Sequence, residues 1–278
     1  MHDTLTRRRV SAVGAIAARA LTESGGMTRP MPDFPDAPYR LAAGRMIWIG
    51  RSGPLHPRAV MLDIAHVSCS EVPDLAPDAL PPPWHAPSMD GCRAAPARVA
   101  AHLELLASEI RSLGAPRGLA RLLIGAEPPF PVAARAAEAM ALAASVRSND
   151  PEGFEAAALR LIGVGDGLTP SGDDFVGAAL FALRVLRPDH RHWTAVANRL
   201  CGEADARTHI ISATLLGDLA AGRSFAPLHE LLIAAAAGGD LRGPARALTG
   251  IGHSSGWDML AGLIAGASAL KHTLTPPS

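Results

Sequence analysis

A chain of 278 residues can bury a sizeable core in one or two domains, and 48% hydrophobic with 19% charged residues is a globular composition. Its 26 basic and 26 acidic residues cancel, so no net field recruits nucleic acid or an anionic membrane, and 4% aromatics leave little for base stacking. A small molecule or another protein is the expected partner, with neither nucleic acid nor membrane.

The three cysteines, Cys69, Cys92 and Cys201, are odd in number and widely spaced, which points to reduced thiols and a cytoplasmic protein. Arg7-Arg8-Arg9 before the short apolar run Val10–Ala18 has a faint look of an export signal. Arg19 cuts that run short, and an ordinary helix is the expectation. No charge-free apolar stretch approaches the roughly 20 residues that span a bilayer.

In chain order, residues 10–23 read as a first helix ended by Gly25-Gly26, and Arg29–Pro38 as a proline-rich loop. Arg45–Gly50 and Arg58–Ile64 read as two strands, expected to be antiparallel. The prolines of residues 71–96 exclude long regular elements there. From Ala97 the pattern turns helical: Val99, Leu103, Leu106 and Ile110 share one face of Ala97–Leu113. Further helices are expected at Val132–Val146, Phe154–Ile162, Ser171–Leu186, Trp193–Ala204, Arg207–Ala221, Ala226–Ala237, Leu241–Leu248 and Ser255–Leu270. The fold expected is α+β: a small N-terminal portion with β-strands, residues 1–96, then a larger, mostly α-helical ligand-site domain, residues 97–278.

The densest chemistry lies in Gly163–Phe175, GVGDGLTPSGDDF. Gly163, Gly165 and Gly167 let a ligand approach the main chain. Thr169 is the expected N-cap, with Pro170 in the first helical position. The amides that follow, through Ser171 and Gly172, form an end suited to phosphate or carboxylate. Asp173 and Asp174 either compensate the helix dipole or do chemistry as hydrogen-bond acceptors, cation ligands or orienting groups. The helix after them is apolar almost all round, which predicts a buried helix with its acids in a pocket. No P-loop lysine follows the glycines and no strand precedes them, so a nucleotide is disfavoured.

A second start echoes the first. Ser255-Gly256-Trp257-Asp258-Met259 aligns with Ser171-Gly172-Asp173-Asp174-Phe175, giving Ser-Gly-x-Asp-apolar twice. Either the echo is coincidence, or the two starts converge on one pocket with Asp174 and Asp258 both facing it. Gly262 and Gly266, four apart, allow a second helix to pack close. His253 and Ser254 precede the second start; His253 is either structural or a proton carrier. Thr208 and Ser212 are expected one turn apart on a helix, with His209 adjacent; their hydroxyls either bond their own backbone or reach a ligand. There is no HExxH, GxSxG or zinc-spaced His/Cys set, and metal and cofactor stay open, as does magnesium on Asp173 and Asp174.

GLTPSGDDF at Gly167–Phe175, THIIS at Thr208–Ser212 and GHSSGWDMLAG at Gly252–Gly262 resemble a bacterial family that includes one subunit of the oxamate carbamoyltransferase of anaerobic allantoin breakdown. The resemblance is strongest over residues 160–265; upstream, only GRMIWIG and PRAVMLD look like the family's strands. It implies a part in carbamoyl transfer between carbamoyl phosphate and oxamate, with other subunits as partners. The site residues then expected are Asp173, Asp174, His253 and Asp258 for chemistry. Gly165, Gly167, Thr169, Ser171, Gly172, Thr208, His209, Ser212, Ser254, Ser255 and Gly256 are expected to bind a small anionic substrate.

Overall fold

The structure, a computed structural model, describes residues 10–63 and 75–268. Cys69, Arg7–Arg9 and the ends of two expected elements, Ile64 and Leu270, lie outside these. The chain forms two compact units, Met1–Ala86 and Pro87–Ser278.

Among the described residues, the first unit is a five-stranded sheet with one α-helix and a short 3-10 helix at Pro77–Ala79. β1 (Val10–Val13), β2 (Arg29–Pro30), β3 (Tyr39–Ala42), β4 (Arg45–Gly50) and β5 (Ala59–Leu62) lie in the order β1-β5-β4-β3-β2. Residues 10–23 are therefore not one helix: Val10–Val13 pairs with β5, and α1 (Ala15–Glu23) begins only after Gly14. The apolar run suits either state, and partner strands decided it. β4 and β5 are parallel rather than antiparallel, with Trp48 opposite Ala59, Ile49 opposite Val60 and Gly50 opposite Met61. Only three residue pairs overlap, so residues 51–58 need carry the chain back only to the level of Trp48. Ala17, Ala20 and Leu21 share one face of α1 and are buried with Val13, Ile47, Val60 and Leu75.

The second unit is helical and built around α6 (Ser171–Leu186). In chain order it holds α2 (Asp90–Ala94), α3 (Pro96–Ser108), α4 (Ala136–Arg147) and α5 (Pro151–Leu161), with a 3-10 helix at Gly118–Ile124. After α6 come α7 (Arg191–Arg207), α8 (Ile210–Ala220), α9 (Ala226–Ala237), α10 (Arg242–Thr249) and α11 (Ser255–Ala267). Every residue of α6 except Arg184 is buried, as its all-round apolar character required. α11 packs along it in the same direction. A Cβ on Gly262 would stand 2.1 Å from the Phe175 carbonyl oxygen, and one on Gly266 would stand 2.5 Å from that of Ala179. Glycine at both positions is what lets two backbones approach so closely.

Among the described residues, no helix is long and apolar enough to cross a membrane. Cys92 is buried and Cys201 half-buried, both as free thiols.

Candidate functional site

The starts of α6 and α11 lie side by side. Thr169 Oγ1 and Ser255 Oγ are 2.8 Å apart, and the hydroxyls of Ser171 and Ser254 are 3.5 Å apart. The sequence echo is also an architectural one. Gly172 is pressed on the Leu161 carbonyl at the end of α5, where a Cβ would come within 1.9 Å; Gly256 meets the Leu248 carbonyl of α10 at 1.8 Å. Each glycine also donates its amide back across its loop, Gly172 to Val164 O at 2.8 Å and Gly256 to Ile251 O at 3.0 Å. These two amides, expected to face an anion, are thus spent on the loops. Thr169 is not the N-cap: Pro170 holds that position, and its carbonyl accepts from the amides of Asp173 and Asp174. The Thr169 hydroxyl is left to serve the neighbouring helix start.

The three acids divide into two roles. Asp173, 2% exposed, accepts from Gly163 N, Thr208 Oγ1 and Ser212 Oγ, each at 2.6 Å. It ties the glycine loop to the junction of α7 and α8. Thr208 and His209 form that junction and are not on one helix with Ser212: Thr208 caps the end of α7 and His209 precedes α8. A helical reading from Arg207 onward missed this break because no glycine or proline marks it. His209 Nε2 lies 3.3 Å from the Gly167 carbonyl, bracing the loop from outside.

Asp174 and Asp258 are 6% and 0% exposed. Burial pushes the Asp174 carboxyl well above the usual carboxylate range, and the Asp258 charge pushes it further; hydrogen bonding from Ser255 resists, the Asp173 charge adds to the rise, and Thr169 resists more weakly. Burial likewise raises Asp258, to about 7, against hydrogen bonds from the Leu119 amide, Ser171 and Ser254. Asp258 Oδ1 accepts from Leu119 N at 2.6 Å, whereas Asp258 Oδ2 and Asp174 Oδ2 are buried with no hydrogen-bond partner. Burial of both carboxyls, and the Asp258 charge beside Asp174, disfavour the state in which both are ionised and favour a proton held by the pair.

Gly167 and His253 are exposed, and Gly165, Ser254 and Ser255 are half-buried. Arg117 Nη1 donates to the His253 carbonyl at 2.9 Å and lies 3.4 Å from its Nδ1. Arg117, Gly118 and Leu119 belong to this site and were not expected. Their only signal is Pro116-Arg117-Gly118, a turn-forming string without periodicity. Gly118 has φ +52°, and a Cβ there would stand 2.1 Å from Asp258 Oδ1. Among the described residues, no group of three or more His, Cys, Asp or Glu is placed to hold a metal ion.

The fold is α+β, and in its helical unit two matched helix starts lie side by side. Residues 161–267 match the model of a family described as oxamate carbamoyltransferase subunit AllH. The match takes in Leu161, both helix starts and Thr208–Ser212, which supports assigning this stretch to that family. No curated protein and no solved structure matches the chain.

Proposed function

We propose that this chain is a subunit of a carbamoyltransferase-like enzyme of the oxamate carbamoyltransferase type, acting with other subunits in the cytoplasm on purine-derived nitrogen. The observation that carries the reading is that the family match spans both helix starts. The ligand at that end is a small anionic amide or acyl phosphate. In the reaction, the amide nitrogen of oxamate attacks the carbonyl carbon of carbamoyl phosphate. The carbon–oxygen bond to phosphate breaks, phosphate departs, and the nitrogen gives up a proton.

Asp174 and Asp258 would accept N–H bonds of the carbamoyl or oxamate amide, and Asp173 would hold the loop above them in place. His253 would take the proton, with the Arg117 guanidinium beside it drawing the anionic part of the substrate. The hydroxyls of Thr169, Ser171, Ser254 and Ser255 lie at the two adjoining helix starts, where they would align an amide.

The burial of both acids favours a second reading, a metabolite-sensing or scaffold subunit whose partner does the chemistry. Phosphate release from carbamoyl phosphate plus oxamate, assayed for the chain alone and for the chain co-expressed with its neighbours, separates the two. Calorimetry on Asp174→Asn tests the site itself: ligand binding is expected to vanish while the fold persists, and unchanged affinity would sink the assignment.

A further inference from the structure

Phe130, 86% exposed, is the most exposed large hydrophobic side chain among the described residues. One apolar residue on a surface is ordinary, but this one is held out on a braced turn. Pro128 and Val132 on either side of it are buried. Arg121 Nε donates to the Glu127 carbonyl at 2.6 Å, and Ala133 N donates to Pro129 O at 2.9 Å. Pro129 and Pro131 flank the ring directly and fix φ at both neighbours, so little freedom is lost when the ring is buried against a partner.

The turn joins the 3-10 helix at Gly118–Ile124 to α4, and these two elements with the second half of α11 enclose an apolar groove of about 280 Å³. Leu122, Leu123, Ala143 and Ile264 line it, together with the exposed Met140. The groove has room for an aromatic ring, and the chain's own Phe130, out in solvent, does not fill it. Arg147 is its one charged lining residue, and Glu127 lies three residues before Phe130. Among the described residues, neither of these two side chains has a hydrogen-bond or ion-pair partner. Arg147 also offsets the dipole of α4, but that role accounts neither for the ring nor for the groove on the adjoining elements. We propose that this face is a homodimer interface: Phe130 of each copy seats in the groove of the other, and Glu127 of each pairs with Arg147 of the other. A two-fold axis makes the contact reciprocal, so one knob and one groove on the same face satisfy both copies. The ring is the buried aromatic anchor, and the ion pair fixes the register.

Sedimentation velocity of the full chain over a wide concentration range reads the dimer directly. Wild type dimerises, and Phe130→Ala raises the dissociation constant about a thousandfold, because both copies of a contact worth roughly thirtyfold are lost. Glu127→Arg and Arg147→Glu each weaken the dimer about tenfold or more by setting like charges face to face, and the two together restore it. A chain that is monomeric throughout overturns the proposal and leaves the groove to residues 269–278 or to a different protein. A dimer indifferent to Phe130→Ala, or a double variant that binds no tighter than either single reversal, overturns it as well.

Discussion

Asp258→Asn tests the reading of the acid pair most directly. Asp258 is fully buried, and its folded pKa of about 7 lies well above the 3.8 of an ordinary aspartate. The sign follows from proton counting. Between about pH 4 and 7 the folded chain keeps this proton while the unfolded chain has lost it, so stability is fully present at acid pH and is lost as pH rises. About 3 units at ~1.4 kcal/mol each make the loss ~4 kcal/mol. Asparagine mimics the protonated acid. Its Oδ1 still accepts from the Leu119 amide. Urea melts of wild type and variant are compared from pH 4 to pH 8. Near pH 4 the two differ by about 1 kcal/mol or less, and the variant gains steadily until it leads by ~4 kcal/mol above pH 7. Relief of the like charge on Asp174 adds in the same direction. A difference that ignores pH, or a variant less stable than wild type at pH 8, refutes the shared-proton argument.

Asp173→Ala strips the acceptor from three donors at once and should cost roughly 3–5 kcal/mol in the same melts, with faster proteolysis at Gly163–Gly167. Gly118→Ala places a Cβ 2.1 Å from Asp258 Oδ1 at a positive φ, and a loss of about 2–4 kcal/mol is expected. His229 is held by burial at a pKa of about 4, below its ordinary 6.5. Its contribution is therefore complete above about pH 6.5 and lost as pH falls towards 4, ~3 kcal/mol in all. Comparing wild type with His229→Gln across that window isolates it, since the Asp258 contribution is common to both.

Much of the helical unit was legible because burial leaves a periodic mark. α6 and α9 occupy the predicted spans, and the glycine pair in α11 forecast its close packing. The sheet was less legible. Val10–Val13 is apolar enough for helix or strand, and Tyr39–Ala42 is too short and mixed to announce itself. The parallel pairing of β4 with β5 depends on a three-pair overlap that no local pattern encodes. At the candidate site, the adjacency of the two helix starts, Thr169 beside Ser255 and Ser171 beside Ser254, was readable from the repeated Ser-Gly-x-Asp. The Leu119 amide was not, since a backbone donor from 139 residues away has no side-chain signature. The roles of Thr208 and Ser212 were open between backbone and ligand, and the structure shows a third choice, Asp173.

The repeat also says why these acids exceed capping. One aspartate in the first turn offsets about half a positive charge at a helix N-terminus. Two such helices side by side bring together about one positive charge, yet Asp173, Asp174 and Asp258 in their first turns carry three negative charges when all are ionised. The excess is close to two charges, in a place shielded from water; the donors that Asp173 already holds offset part of it, and a proton or a ligand's N–H donors can offset the rest. A phosphate group could not, because it would add negative charge beneath the hydroxyls. Within the proposed function, this argues that an amide end of the substrate points down towards the acids. The anionic end then stays above, near Arg117 and His253, where a guanidinium is available to receive it.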